Sequence, residues 1–329
     1  MAIIDQEITE RYALYNGDCV EVIRTIPTQS IGFSIYSPPF GIANLVYSSD
    51  DRDLSNCKDR GTFLEHYEYL VREMSRVTKQ GRINAVHCMD TPGKGTGVLD
   101  DLPGDIIRLH QSNGFDYVGR HFIWKEPLSV AIRTRALHLR HGQIAKDSTL
   151  CGPAGGDQLL LFRKKGENKE PVAHPLGLSN YLGRRLVPEG YEEKYRNWAD
   201  DKTNRLSQWI WRQYASCFWD DIRVNRVLPY QEARDPEDEK HCHPLQLDVI
   251  DRCLVMWSNS GDIVLTPFLG VGSEAYGAVR MGRQSIGIEL KPSYFRQAKK
   301  NVASALQSQS DDQYSLEFGE TDSIEEGEM

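Results

Sequence analysis

The chain has 329 residues, a net charge of −8, 40% hydrophobic and 26% charged residues, an ordinary composition for a globular protein with one large domain or two modest ones. No run approaches the ~20 apolar residues of a membrane span, and Met1 to Glu7 carry no signal-peptide blocks, so the expectation is a cytoplasmic protein. An acidic chain is no general trap for polyanions, and a nucleic-acid binder of this kind must gather its basic residues on one face.

A short alternating stretch leads to Tyr15-Asn-Gly-Asp-Cys19, which reads as a strand end, a turn, and then a short helix stopped near Pro27. Asp18 at that turn is either a helix cap or a ligand-binding carboxylate. Ile31 to Tyr36 reads as a buried strand. Ser37-Pro38-Pro39-Phe40 ends it abruptly. Each proline fixes φ near −65° and removes a backbone donor. The corner therefore shows carbonyl oxygens, one hydroxyl (Ser37) and one aromatic face (Phe40), which suits a planar ring bearing an amino group. A plain Pro-Pro turn with a core phenylalanine accounts for the stretch equally simply.

Residues 41 to 59 are polar and aperiodic, a long loop of the kind used for lids or binding segments. Phe63 to Thr78 has helical period and ends at Gly81. Arg82 to Met89 is a strand, Asp100 to Asn113 a helix closed by Gly114, and Phe115 to Trp124 a further strand. This alternation argues for an α/β parallel sheet. Between 127 and 150, Arg133, Arg135, His138, Arg140, His141 and Lys146 crowd together with few acids. The run is either a solvated face or a phosphate contact. Leu159 to Phe162 is a strand ended by Arg163-Lys-Lys165. Residues 166 to 240 are irregular, with Arg184-Arg185 and many tyrosines and tryptophans. The aromatics are expected mostly to pack and the bases mostly to bind nucleic acid.

His243 to Trp257 reads as a helix with proline in its first turn. Gly261 to Leu265 is a strand, Thr266 to Ser273 a turn opening a helix at Glu274 to Met281, Arg283 to Glu289 a strand, and Lys291 to Leu306 a helix. The acidic residues that follow read as a disordered tail. Seven cysteines at scattered positions give no disulfide framework. Cys242 between His241 and His243 has no second pair at ligand spacing, so no metal site is expected.

Gly270 and Gly272 sit in a strand-to-helix turn where the backbone can approach a ligand closely. Glu289, at the next strand's end, is placed to accept hydrogen bonds from ribose hydroxyls. These features fit a dinucleotide or S-adenosylmethionine equally. Together with the proline corner, they resemble the permuted β class of DNA amino-methyltransferases over residues 12 to 165 and 241 to 303. Ser37-Pro38-Pro39-Phe40 matches that family's catalytic motif. Thr266-Pro267-Phe268-Leu269-Gly270-Val271-Gly272 matches its cofactor motif, His243-Pro244 its preceding helix start, and Gly17-Asp18 its early Gly-Asp. Thr266 departs from the family's aspartate, and Ser37 replaces the aspartate most frequent in adenine enzymes.

The resemblance implies a Rossmann-like S-adenosylmethionine-dependent fold with a mixed seven-stranded sheet, circularly permuted. Its halves are 1–165 and 241–308, separated by a target-recognition insert at 166–240 and followed by a disordered tail at 309–329. It implies Ser37, Pro38, Pro39 and Phe40 as catalytic. Asp18, His243, Thr266, Phe268, Gly270, Gly272, Ser273 and Glu289 would bind S-adenosyl-L-methionine. Arg133, Arg135, Arg140, Lys146, Arg184 and Arg185 would contact double-stranded DNA. The class often forms homodimers, and that assembly is open to this chain. The target would be flipped from the duplex and methylated on its exocyclic amine, adenine N6 first and cytosine N4 as the alternative that Ser37 favours. Methylation of RNA or protein, a nicotinamide dehydrogenase, and a non-catalytic DNA-binding module are the competing readings. The dehydrogenase leaves Ser37 to Phe40 unexplained.

Overall fold

The computed structural model describes residues 3–40, 53–92, 98–134, 136–191, 204–233 and 244–318. Eleven strands and eight helices follow one another through these segments. They are β1 (Asp5–Ile8), β2 (Tyr12–Asn16), α1 (Cys19–Ile23), β3 (Phe33–Tyr36), α2 (Arg60–Val77), β4 (Ile83–Cys88), β5 (Thr91–Pro92), β6 (Leu99–Asp100), α3 (Leu102–Ser112) and β7 (Phe115–Ile123). Then come α4 (Pro127–Thr134), β8 (Asp157–Lys164), α5 (Arg205–Ala215), β9 (Phe218–Trp219), α6 (Leu247–Trp257), β10 (Ile263–Thr266), α7 (Ser273–Arg280), β11 (Gln284–Glu289) and α8 (Pro292–Phe318).

The main sheet has nine strands in the order β1-β2-β11-β10-β3-β4-β8-β7-β9, and β5 and β6 pair separately. From β2 through β4 the neighbours run parallel, while β8 is antiparallel to both β4 and β7. The strands β10 and β11, late in sequence, lie between β2 and β3, early in sequence. This interleaving is the permutation expected of the fold. The seven expected strands gain one at each edge. β1 joins β2 as an antiparallel hairpin, and β9 pairs in parallel with β7. Neither carries an apolar period: β1 is the polar Asp5-Gln-Glu-Ile8, and β9 has only two residues.

β3 shows how the layers form. Its alternation sends Tyr36 to one face of the sheet, against α2 and α3, and Phe33 and Ile35 to the other, against α6. On α2, Phe63, Tyr67, Leu70, Val71, Met74 and Val77 are buried at helical spacing. Asp59 caps it by accepting from Thr62 N at 2.9 Å. A third cluster joins Leu14 and Leu269 to Phe295, Ala298 and Val302 of α8. From the irregular segment, Tyr214 and Trp219 are buried, and Trp219, Ile222 and Leu228 pack into the α6-side core.

Two boundaries move. α6 begins at Leu247 rather than His243, because Gln246 still holds an extended ψ of 134°. α8 continues to Phe318, past the expected end at Leu306 and into the expected disordered tail. A nucleated helix extends at one hydrogen bond per added residue.

Candidate functional site

The C-terminal edge of the parallel strands carries both motifs. β10 pairs with β3 through Val264↔Phe33 and Leu265↔Ser34. The proline corner and the glycine turn therefore leave adjacent strand ends. The rings of Tyr36 and Phe268, one from each motif, lie 5.9 Å apart. Pro38 is buried, while Ser37, Pro39 and Phe40 are half-buried.

Ser37 is not a free hydroxyl. Its Oγ lies 2.8 Å from His87 Nδ1 at the end of β4. His87 Nε2 lies 2.9 Å from Asp157 Oδ2 at the start of β8. Lys125, just past β7, also pairs with Asp157. His87 and Asp157 are buried. Burial alone would raise the Asp157 carboxyl, but His87 and Lys125 overcome it and hold the group well below the usual carboxylate range. An ionised carboxylate only accepts, so His87 donates from Nε2, and in the neutral ring Nδ1 is the acceptor for the Ser37 O–H. The result is a Ser37–His87–Asp157 chain drawn from three adjacent strands. Phe40 packs at 5.6 Å against the His87 ring.

The turn after β10 is shaped by its glycines. Gly272 holds φ at +93° as the residue before α7, where a Cβ would meet Val302 and Ala298 at 3.0 to 3.3 Å. Gly270 N–H donates to Glu289 Oε2 at 2.7 Å, and Lys291 N–H to Glu289 Oε1 at 2.8 Å. Burial pushes the Glu289 carboxyl up to about 7 despite those two donors. β2 is tied to the same place: Gly17 N–H and Asn16 Nδ2 both donate to the Glu289 carbonyl. Asp18 caps α1, accepting from Glu21 N at 2.9 Å. Thr266 is fully buried, its hydroxyl 3.4 Å from the Phe268 carbonyl. Ser273 Oγ in the first turn of α7 and Gln246 Oε1 before α6 are buried without a hydrogen-bond partner. Glu274 is buried beside Ser273, and desolvation pushes its carboxyl up to about 8. Orphaned polar atoms, a carboxylate and a backbone turn closed to side chains fit a ligand with ribose and amino-acid ends.

The structure thus brings Ser37, Pro38, Pro39, Phe40, Asp18, Thr266, Phe268, Gly270, Gly272, Ser273 and Glu289 to one edge. His243, Arg135 and the side chain of Arg133 lie outside the described residues. Arg140 and Lys146 are exposed on the turns after α4. Arg184 donates to the Asp220 carbonyl, and Arg185 is ion-paired with Asp220. Sequence reasoning missed His87, Asp157 and Lys125. Its available signal was a polar residue at the edge of each of three apolar strands. Among the described residues no group of His, Cys, Asp and Glu could hold a metal, and no helix is long and apolar enough to cross a membrane.

A family model described as DNA methylase matches residues 31–300. The type II methyltransferase M.ScaI of Streptomyces caespitosus is 36% identical over 302 residues, covering 91% of this chain and 84% of that protein. M.BamHI of Bacillus amyloliquefaciens is 23% identical over 86% of this chain, which spans only 55% of its length. The chain likewise spans 66% of M.BglII of Bacillus subtilis. Among solved structures, TTHA0409 of Thermus thermophilus, complexed with S-adenosyl-L-methionine, aligns with a TM-score of 0.57 at 22% identity, covering 90% of this chain and 96% of that one. The cytosine-N4-specific PvuII DNA methyltransferase aligns with a TM-score of 0.60 at 13% identity, covering 94% and 95%.

Proposed function

The chain belongs to the N6/N4 DNA methylase family, and from that premise we propose that it methylates an exocyclic base amine of double-stranded DNA, using S-adenosyl-L-methionine, at cytosine N4. The observation that carries this reading is the Ser37–His87–Asp157 chain beside the glycine turn.

Glu289 would hold the ribose hydroxyls. The Gly270–Gly272 backbone and Phe268 would line the nucleoside, and Ser273 and Gln246 offer unpartnered polar atoms to the amino-acid end. When bound, the cofactor supplies a methyl activated by its sulfonium. The chain's own residues handle the amine. Its lone pair is delocalised into the base, so it is a weak nucleophile. The Ser37 oxygen and the Pro38 carbonyl accept from its two hydrogens and turn the lone pair out of the ring plane. Holding donor and acceptor in line is worth several kcal/mol, on the order of 7–11 at the upper limit. As the amine gains its methyl it sheds one proton. That proton passes to Ser37 Oγ while the hydroxyl proton moves to His87 Nδ1, and the imidazolium formed is held by Asp157. The transfer calls for no thiol nucleophile, and the Cys88 and Cys253 thiols are buried and pushed well above their ordinary range.

Cytosine N4 is preferred to adenine N6 because Ser37 supplies a hydroxyl that joins the relay, where adenine enzymes of this class most often carry a carboxylate. Nucleoside analysis after incubation with mixed-sequence duplex and labelled cofactor is the test. N4-methyldeoxycytidine supports the reading. N6-methyldeoxyadenosine would move the target to adenine, and label confined to RNA or protein would refute a DNA substrate.

A further inference from the structure

Beyond the methylation corner, a second cleft of about 500 Å³ opens among the end of β7, the C-terminal end of α5 and β9. Trp124 and Phe218 contribute rings that are 48% and 62% exposed. Arg185, Arg212, Gln213, Ser216, Asp220 and Asp221 line the rest. We propose that this cleft takes an unpaired nucleobase of the DNA substrate, stacked on Trp124 and Phe218, next to the base being methylated. The proposal deepens the DNA-methylation reading and rests on it.

Position is the first argument. Ile123, the last residue of β7, pairs with Asp157, the far end of the Ser37 relay. Trp124 comes next in the chain, its N–H donating to the Trp219 carbonyl at 3.0 Å, and Lys125 after it contacts Asp157 itself. The cleft and the methylation corner therefore share one sheet edge, separated by β4 and β8. The second argument is the rings. β9 alternates: Trp219 is 1% exposed in the core, while Phe218 faces out and stacks on Phe122 at 5.5 Å. Leaving two large aromatic faces in water is costly unless something covers them. The third is charge and hydrogen bonding. Arg185 pairs with Asp220 and lies 3.8 Å from Asp221, which also holds buried Arg252 at 2.8 Å, so the guanidinium groups of Arg185, Arg212 and Arg252 exceed the two carboxylates by one. Rings, the Arg212 guanidinium and the Gln213 side-chain amide are groups that can hold a base and its phosphate. A flipped target leaves its former partner unpaired, so such a base exists at this step.

The test uses the full chain without cofactor, so it does not depend on methyl transfer. The probes are a fluorescein-labelled 16-nucleotide mixed-sequence single strand and an abasic strand of the same length. Base–aromatic stacking of ~1–3 kcal/mol corresponds to about 5- to 100-fold in affinity. Trp124→Ala and Phe218→Ala should each weaken binding of the base-bearing strand within that range and leave the abasic strand unchanged. Trp124→Phe should retain most of the affinity. Equal loss on both strands, or none, would overturn the proposal. So would a shift from dimer to monomer in Trp124→Ala with DNA affinity unaltered, which would give the cleft to a second copy of this chain. A wild-type chain that passes this test but transfers no methyl group would fail the functional reading alone.

Discussion

At the level of single residues, the site is set by which atom carries each proton. Asp157, held ionised by His87 and Lys125, takes the Nε2–H of His87, which leaves Nδ1 of the neutral ring to accept from Ser37. Asp157→Asn can donate to Nε2 and reverse that tautomer, leaving the relay unable to accept. Methyl transfer should fall by about 10²–10⁴-fold, the usual value of a positioned general base, with cofactor affinity unchanged by calorimetry. Equal loss of both would make the chain a structural strut. Glu289 gives the matching pH effect. Its carboxyl is pushed up to about 7 by burial, and in the proposed role the ionised form is the one able to accept from two ribose hydroxyls. Affinity for S-adenosyl-L-methionine should therefore be full well above pH 7 and decline as pH falls through it. At one unit below 7 the competent fraction is about a tenth, so the dissociation constant rises about tenfold. Glu289→Gln should bind more weakly and lose this dependence. A wild-type constant flat from pH 6 to 8 would remove Glu289 from the site.

Among the elements, α6 does more than close the sheet. It buries Asp248, Asp251 and Arg252 completely. Arg223 and Arg226 pair with Asp248, Arg226 and Arg280 with Asp251, and Arg252 with Asp221. The Arg252 guanidinium lies 5.0 Å from the Tyr214 ring and 5.1 Å from that of Trp219, and its Nε donates to the Leu182 carbonyl. This clasp fastens the irregular segment to the core. Arg252→Met leaves buried Asp221 with the Tyr181 hydroxyl and the more distant Arg185 guanidinium at 3.8 Å, so denaturant unfolding should show a loss of about 3–5 kcal/mol. A loss below ~1 kcal/mol would mean that the aromatic packing alone holds the segment. The same contrast explains what could be read in advance. Strands such as Leu159 to Phe162 and helices such as α2 announce themselves by local period. So do the proline corner and the glycine turn, because proline and glycine act on their own backbone. The clasp and the His87–Asp157 contact could not be read. They join residues far apart in sequence, and a charged or imidazole side chain in an apolar run carries no local mark of its partner. β9 escaped because a two-residue strand has no period.

Across the whole molecule, a net charge of −8 must be reconciled with the proposed duplex-DNA substrate, which needs cations gathered near the site. Lys125 opens the segment that leads through α4 to exposed Arg140 and Lys146. That segment leaves the sheet at the edge where Ser37 and Glu289 lie. Arg184 and Arg185 are already engaged by Asp220. The two pairs should therefore respond differently to salt. Every cation removed from a DNA phosphate reduces the slope of log affinity against log salt by about 0.9. Arg140→Ala with Lys146→Ala should lower the slope by about 2 in titrations between 50 and 200 mM salt. Arg184→Ala with Arg185→Ala should change it little, because Asp220 already holds both side chains back from phosphate. An unchanged slope in the first pair would make the basic segment a solvated face. A drop of about two in the second would mean that duplex phosphate outcompetes Asp220, and the irregular segment would then be the main electrostatic contact.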